Sequence, residues 1–224
     1  MRGILFKPEL IKAIAEGRKT QTRRLHGLKE INQEPDKWKY HPEMSIPAQG
    51  QFTFCYDNQE RYNRQTATLT IKSRYQVGEV VFVKEALSRK RSDVFMPASY
   101  ITYALDFTPV SAINPNEKHP EFGRPTWIWQ KDKLSPLFMP EWAARYHIQL
   151  TGVDAQRVQE ITHGDAIAEG AEYMPPASPR DQRLSVPQIV FAGLWDSINK
   201  NHKWDTNPWV WRYSFKKENQ DGRN

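Results

Sequence analysis

The chain has 224 residues and a mass of 26.2 kDa, enough for one large domain or two small ones. Its 32 Lys and Arg against 26 Asp and Glu give a net charge of +6, an excess that suits a polyanionic partner without requiring one. A single cysteine, Cys55, excludes an internal disulfide and a multi-cysteine zinc site, and no apolar run of about 18 residues or signal-peptide core is present, so a cytoplasmic location without a membrane partner is expected.

The mean hydropathy is −0.76, low for a globular chain, and the 8 Trp, 9 Tyr and 10 Phe give a core its bulk with few residues. The first helix is signalled by Pro8 near its start, by an apolar stripe of Leu10, Ile11 and Ile14, and by Gly17 as a stop. Residues 18–24 alternate as an extended segment leaving that helix. Seven Lys or Arg against Glu9 and Glu16 fall within residues 1–24, so +5 of the +6 is concentrated there. Residues 26–50, rich in Pro, Gln, Asn and charge, read as a long loop. Strands are expected at 51–56, at 66–72 with Ala67, Leu69 and Ile71 on one face, at 79–84 and at 100–105. Residues 114–125 read as a polar excursion, and Trp127 and Trp129 alternate as a short strand.

Two more strands are expected at 146–153 and 156–161. Thr162 and Asp165 have capping-box spacing and open a short helix that Gly170 closes. Residues 171–187, with four Pro, form a second excursion. Phe191, Leu194, Trp195 and Ile198 fall on one face of a helix. Residues 209–215 form an aromatic strand with Trp209, Trp211, Tyr213 and Phe215 on one side, and 216–224 form a polar tail. These elements describe one α+β domain over 1–215 with a small, largely antiparallel sheet.

Little of the usual catalytic vocabulary is present. The six histidines are scattered without metal-ligand spacing, and neither a phosphate-cradling glycine loop nor a G-x-S-x-G elbow occurs, so neither metal nor cofactor is expected. Cys55 lies in a strand-like run and reads as a small buried hydrophobe more readily than as a nucleophile. The junction 17–24 carries the chemistry. Thr20, Thr22 and Arg24 lie on one face of an extended stretch that follows Lys19. A desolvated Lys19 would accept the Thr22 proton, because burial disfavours its charged form, and Arg24 would hold a carbonyl oxygen or a phosphate. The same residues also read as a solvated basic turn whose threonines serve β-propensity, and both readings stay open.

The run GRKTQTRR resembles the signature of the ASCH family, a PUA-like β-barrel family linked to RNA: Gly-x-Lys-x-x-(Glu or Thr)-x-Arg, met here by Gly17, Lys19, Thr22 and Arg24. The segments GEVVFVKEAL, FMPEWAARYHIQLTGV, VQEITHGDAIAEGA, LWDSIN and KWDTNPWVWRYSF are similar to the longer, phage- or prophage-associated members. The resemblance implies a small barrel with a few flanking helices and two long insertions, near 26–76 and 88–134. Within the family, the bacterial N4-acetylcytidine amidohydrolases share the fuller motif, matched by Gly17, Arg18, Lys19, Thr20, Thr22 and Arg24. It implies catalytic roles for Lys19, Thr22 and, eight residues past Ile161, Glu169, with Arg18, Thr20 and Arg24 binding substrate. A surface carboxylate at a helix end is the other reading of Glu169. In the longer members a basic residue followed by Glu commonly ends the strand held here by GEVVFVKEAL, so Lys84 or Glu85 faces the pocket, or the two form a plain ion pair. Tyr103 stacks on a base or fills the core, and Trp195, Trp204, Trp209 and Trp211 read more simply as packing. The implied activity is hydrolysis of an N-acyl amide on cytidine, the partner a modified nucleoside or RNA bound in a cleft by the first helix. The alternatives are a non-catalytic RNA-binding module and a ribonuclease.

Overall fold

The computed structural model describes residues 1–57, 66–91, 99–110, 128–171 and 185–218. It is a mixed α+β structure dominated by strands. In chain order the elements are β1 (Arg2–Leu5), α1 (Pro8–Ala15), β2 (Gln21–Arg24), β3 (Trp38–Ile46), β4 (Gln51–Asp57), β5 (Thr66–Lys72), β6 (Val80–Lys84), β7 (Leu87–Arg91), β8 (Ser99–Tyr103), β9 (Lys133–Leu134), β10 (His147–Arg157), α2 (His163–Ala168), α3 (Val186–Ile198) and β11 (Trp209–Lys217). The chain divides into two units, neither continuous in sequence. One holds residues 1–15, 80–148 and 217–224; the other holds 16–79 and 149–216.

In the first unit β1 runs parallel to β6, with Gly3 opposite Phe82. A Cβ at Gly3 would come within 3.0 Å of the Lys84 and Phe82 side chains, so any larger residue there requires those side chains to shift. The stripe on α1 is buried as its spacing predicts, through Leu10, Ile11, Ala13 and Ile14. Lys217 Nζ donates to the Ala15 carbonyl at 2.8 Å and satisfies one of the oxygens left open at the helix end. Strand β7 lies between β8 and β9, and Phe82, Leu87, Ile101, Tyr103, Leu134 and Met139 form the core beside them.

The second unit has two hydrophobic centres. Strands β3, β4 and β5 form an antiparallel meander whose Phe52 and Phe54 meet Trp211 and Trp209 of β11 at ring-centroid separations of 4.8 and 5.2 Å. Strand β11 lies between β10 and β2. Elsewhere α3 buries Val190, Phe191 and Trp195 against Val158, Ile161, Trp204 and Val210. The packing reading of the tryptophans is met: Trp195, Trp204, Trp209 and Trp211 are all buried. Asp196 accepts from the Trp204 backbone, and Asn207, at a positive φ of 43°, accepts from Gln159 N.

Several expectations change. Residues 38–46 form a strand where a loop was expected, because Trp38 and Tyr40 find aromatic partners in Tyr56, Phe52 and Phe54 across the meander. Residues 147–157 form one strand, with a short turn of 3₁₀ helix at 158–160 in place of a second strand. Strands β1, β7 and β9 carry no alternation strong enough to have signalled them. Trp129 packs beside the first unit's core outside any strand; Trp127, the excursion at 114–125, most of that at 171–187 and the tail from 219 lie outside the described residues. Residues 216 and 217 extend β11. Cys55 is half-buried, its Sγ 4.0 Å from Thr68 Oγ1. Among the described residues, strand pairing gives sheets that do not close into a barrel, and no helix is long and apolar enough to cross a membrane.

Asn32 holds the start of β11: its amide donates to Trp209 O at 2.9 Å and accepts from Trp209 N at 2.7 Å. Asn32→Ala strands both buried backbone groups. It is expected to lower the free energy of unfolding by about 1–3 kcal/mol per group, read from the urea midpoint at unchanged slope.

Candidate functional site

The basic junction is built by two glycines and two backbone clamps. After α1 the chain reverses at Gly17, whose φ of +75° lies in the left-handed region; open space surrounds its Cα, so conformation and not crowding requires glycine. Thr20 N then donates to Ala168 O, and Thr20 O accepts from Phe215 N, both at 2.8 Å. Lys19 is thereby fixed beside the end of α2. That helix starts on the predicted capping box: Asp165 N donates to Thr162 Oγ1, and Thr162 N to Asp165 Oδ2. Glu169 sits at its C-terminal cap, followed by Gly170 at a φ of +85°.

These constraints bring Lys19 and Glu169 together across 150 residues of sequence. Lys19 Nζ donates to Glu169 Oε2 at 2.6 Å, to Glu169 O at 2.8 Å and to Gln21 O at 2.7 Å. Three acceptors match the three protons of an ammonium group, which defines the resting form. Both side chains are almost wholly buried, Lys19 at 2% and Glu169 at 3% exposure. Burial pushes the Lys19 pKa down from 10.5, and the Glu169 carboxylate restores only part of the loss. The surface reading of Glu169 is overturned by its burial.

Arg23 completes the cluster. Its Nη1 donates to Glu169 Oε1 and its Nη2 to Asp165 Oδ2, each at 3.2 Å, and its guanidinium lies 5.7 Å from the Phe191 ring centroid. Burial raises the Asp165 carboxyl, but the Gln21 amide, Arg23 and the Thr162 backbone outweigh it and hold the group below the usual range. Arg212, paired with Arg23 across β11 and β2, also approaches Asp165 at 3.9 Å. Because side chains alternate along a strand, Gln21 and Arg23 face α2, while Thr22 and Arg24 take the other face, opposite Tyr213 and Trp211. Thr22 is buried there, three residues beyond Lys19. Burial pushes the Arg24 pKa down, with Glu169 among the groups that oppose it.

The other sequence-predicted residues go elsewhere. Arg18 pairs with Glu16 beside Gly17. Thr20 is exposed and acts through its backbone. Lys84, Glu85 and Tyr103 belong to the first unit and do not form the expected arrangements. Lys84 Nζ donates to Leu137 O at 2.7 Å instead of pairing with Glu85. Both Glu85 oxygens accept from Arg145, at 2.9 and 2.7 Å, and a third Arg145 nitrogen reaches Asp106 at 2.7 Å. The Arg145 guanidinium covers the Tyr103 ring at 4.0 Å, and the Tyr103 hydroxyl donates to Ala143 O at 2.8 Å. The ring is therefore occupied by a cation, and the core reading of Tyr103 holds. Arg23, Asp165 and Arg212 were missed as site residues. Arg23 lies inside the GRKTQTRR run, and strand parity alone signalled that it faces away from Thr22. Among the described residues no three His, Cys, Asp or Glu side chains group as a metal would need.

No family model, curated protein or solved structure matches the chain.

Removal of the Glu169 charge tests the cluster. Glu169→Gln leaves the Lys19 and Arg23 charges without their shared carboxylate and is expected to cost about 3–5 kcal/mol at pH 7. Between the folded-state pKa of Lys19 and 10.5 the unfolded chain binds a proton that the native chain has lost, so the Lys19 contribution to stability rises with pH across that window. Loss of the carboxylate's upward pull extends the window to lower pH. The deficit of the variant should therefore narrow from pH 7 toward pH 10, measured by urea denaturation at each pH.

Proposed function

We propose that this chain is an ASCH-type, PUA-like protein that binds a modified cytidine and hydrolyses an N-acyl amide on its exocyclic nitrogen. The observation that carries the reading is the buried 2.6 Å contact between Lys19 Nζ and Glu169 Oε2; Thr22 lies three residues on, on the face of β2 turned away from α2, so the reading requires its Oγ to reach Lys19 past the start of that strand. The GRKTQTRR motif supports it, as does the burial that makes a neutral lysine accessible. The phage-type segments and a cytoplasmic setting belong to the same reading.

The chemistry follows from the proton between the pair. In the resting ion pair Lys19 has no lone pair to offer. Transfer of one proton from Nζ to Oε2 gives a neutral amine and a carboxylic acid, a form that burial of Lys19 brings closer to the ion pair. Thr22 Oγ then attacks the acyl carbonyl carbon while its proton passes to Lys19, and the carbonyl electron pair moves onto oxygen, where Arg24 or backbone N–H groups stabilise it. Collapse of the tetrahedral centre breaks the C–N bond, and Glu169 gives its proton to the departing amine. Cytidine leaves and an acyl ester remains on Thr22. A second proton shift between Lys19 and Glu169 readies the pair for water, which loses a proton to Lys19, attacks the ester and releases the carboxylic acid, while Glu169 reprotonates Thr22. No cofactor is required by this sequence of steps.

A second reading, a non-catalytic RNA-binding module, is favoured by the fact that three acceptors already satisfy Lys19. Incubation with N4-acetylcytidine, followed by chromatography for cytidine, separates the two. The hydrolase reading expects cytidine release, a fall of at least about 10²-fold in kcat/KM for Thr22→Ala, and a fall of about 10²–10⁴-fold for Glu169→Gln. Full activity in Thr22→Ala rejects the nucleophile. A binding module would yield no cytidine and would lose RNA affinity steeply as salt rises.

A further inference from the structure

The meander of the second unit ends in two edges, β3 and β5, and the sequence treats them differently. An open edge presents a row of N–H and C=O groups to any passing strand, and proteins blunt such edges with charge, proline and bulges. Strand β3 carries all three. Pro42 interrupts it, Lys39 and Glu43 put charge on it, and its pairing with β4 shifts between His41 and Ile46. Ser45 closes that bulge: its Oγ donates to His41 O at 2.7 Å and accepts from Thr53 N at 2.8 Å.

Strand β5 has neither proline nor bulge. It pairs with β4 residue by residue, from Thr66 opposite Asp57 to Lys72 opposite Gln51, and its one charge is the terminal Lys72. Among the described residues β4 is its only strand neighbour, and no backbone group outside β4 bonds to residues 66–72. Ala67, Thr68, Thr70 and Lys72 are exposed. The side chains alternate by face: Thr66, Thr68, Thr70 and Lys72 on one, Ala67, Leu69 and Ile71 on the other.

We propose that the β5 edge is a dimerisation surface, on which a second copy of this chain pairs its own β5 antiparallel about Leu69. The two meanders then become one continuous sheet. In this register Leu69 faces Leu69, Ala67 faces Ile71 and Thr68 faces Thr70, so each face meets its own kind. The threonine contact has a precedent in the same sheet, where Thr53 Oγ1 and Thr70 Oγ1 lie 3.0 Å apart across β4 and β5. Pairing extends that row to the second copy's Thr68, and cross-strand threonine pairs stabilise a sheet. Charge does not oppose it: each Lys72 falls opposite Thr66, and the two lysines stand about 20 Å apart at ~3.4 Å per residue, beyond a screening length. A strand of seven residues is a short contact, below the ~1,600 Å² of a standard interface, so micromolar association is expected. The pairing needs nothing from the hydrolase reading.

Sedimentation velocity of the full chain from about 1 to 100 µM tests the pairing. A dimer should grow in with concentration. Thr68→Lys with Thr70→Lys sets lysine across from lysine twice and should weaken the dimer by roughly ten-fold or more; Thr68→Lys with Thr70→Glu sets unlike charges across and should keep it. Amide hydrogen exchange on the unmodified chain is a second readout that depends on no variant: protection within 66–72 should rise with concentration, and that of β3 should not. A monomer throughout the range overturns the proposal. So does a dimer that the lysine pair leaves intact, equal loss in both double variants, or protection that rises elsewhere and not in β5.

Discussion

Two cations buried on one carboxylate set the terms for the second unit. Lys19 and Arg23 both reach Glu169, and none of the three touches bulk water to any extent. Charges removed from water are tolerated only when geometry and remaining hydrogen bonds are met together. Here that requires the end of α2, strand β2 and strand β11 to be in place at once, since Thr20 is clamped to Ala168 on one side and Phe215 on the other. A slip of β2 by one residue would turn Arg23 away from α2 and carry Thr22 toward it. Electrostatics therefore selects the register that the aromatic packing of β11 also favours.

The same contact that anchors the fold would restrain the proposed chemistry. A lysine with three acceptors is a poor base until one proton moves, and the carboxylate that holds it is the natural place for that proton. Under the hydrolase proposal, stability and reactivity share a single hydrogen bond. Burial depresses the basicity of Lys19, and the nearby Arg23 and Arg24 push the same way, while the Glu169 carboxylate favours the charged form. The two faces of β2 differ: one satisfies buried charge against α2, the other sets Thr22 across from Tyr213.

The first unit manages a buried charge differently. Glu85 is met by both arms of one guanidinium, Asp106 takes the third nitrogen of Arg145, and Tyr103 lies beneath the cation. Nothing in that knot is left to react, so Glu85 and Tyr103 serve packing. Similar residue types thus take opposite roles, and the difference is whether their partners satisfy every donor and acceptor.

Local pattern was enough for much of the fold. The stripe on α1, the capping box at Thr162, the alternation of β4, β5 and β11 and the helix around Trp195 are legible because each depends on neighbours a few residues away. Strand β3 was hidden in a polar stretch because its stability comes from aromatic partners across the meander, and β1 because glycine and charge mask its parallel pairing with β6. For the site, the run from Gly17 to Arg24 announced Lys19, Thr22 and Arg24 by residue type. That Glu169 is buried on Lys19 and not exposed, that Arg23 and Asp165 join it, and that Glu85 is silenced by Arg145 were decided only by tertiary structure. Burial and hydrogen-bond satisfaction depend on residues up to 202 positions apart, and a sequence pattern carries no record of such distances.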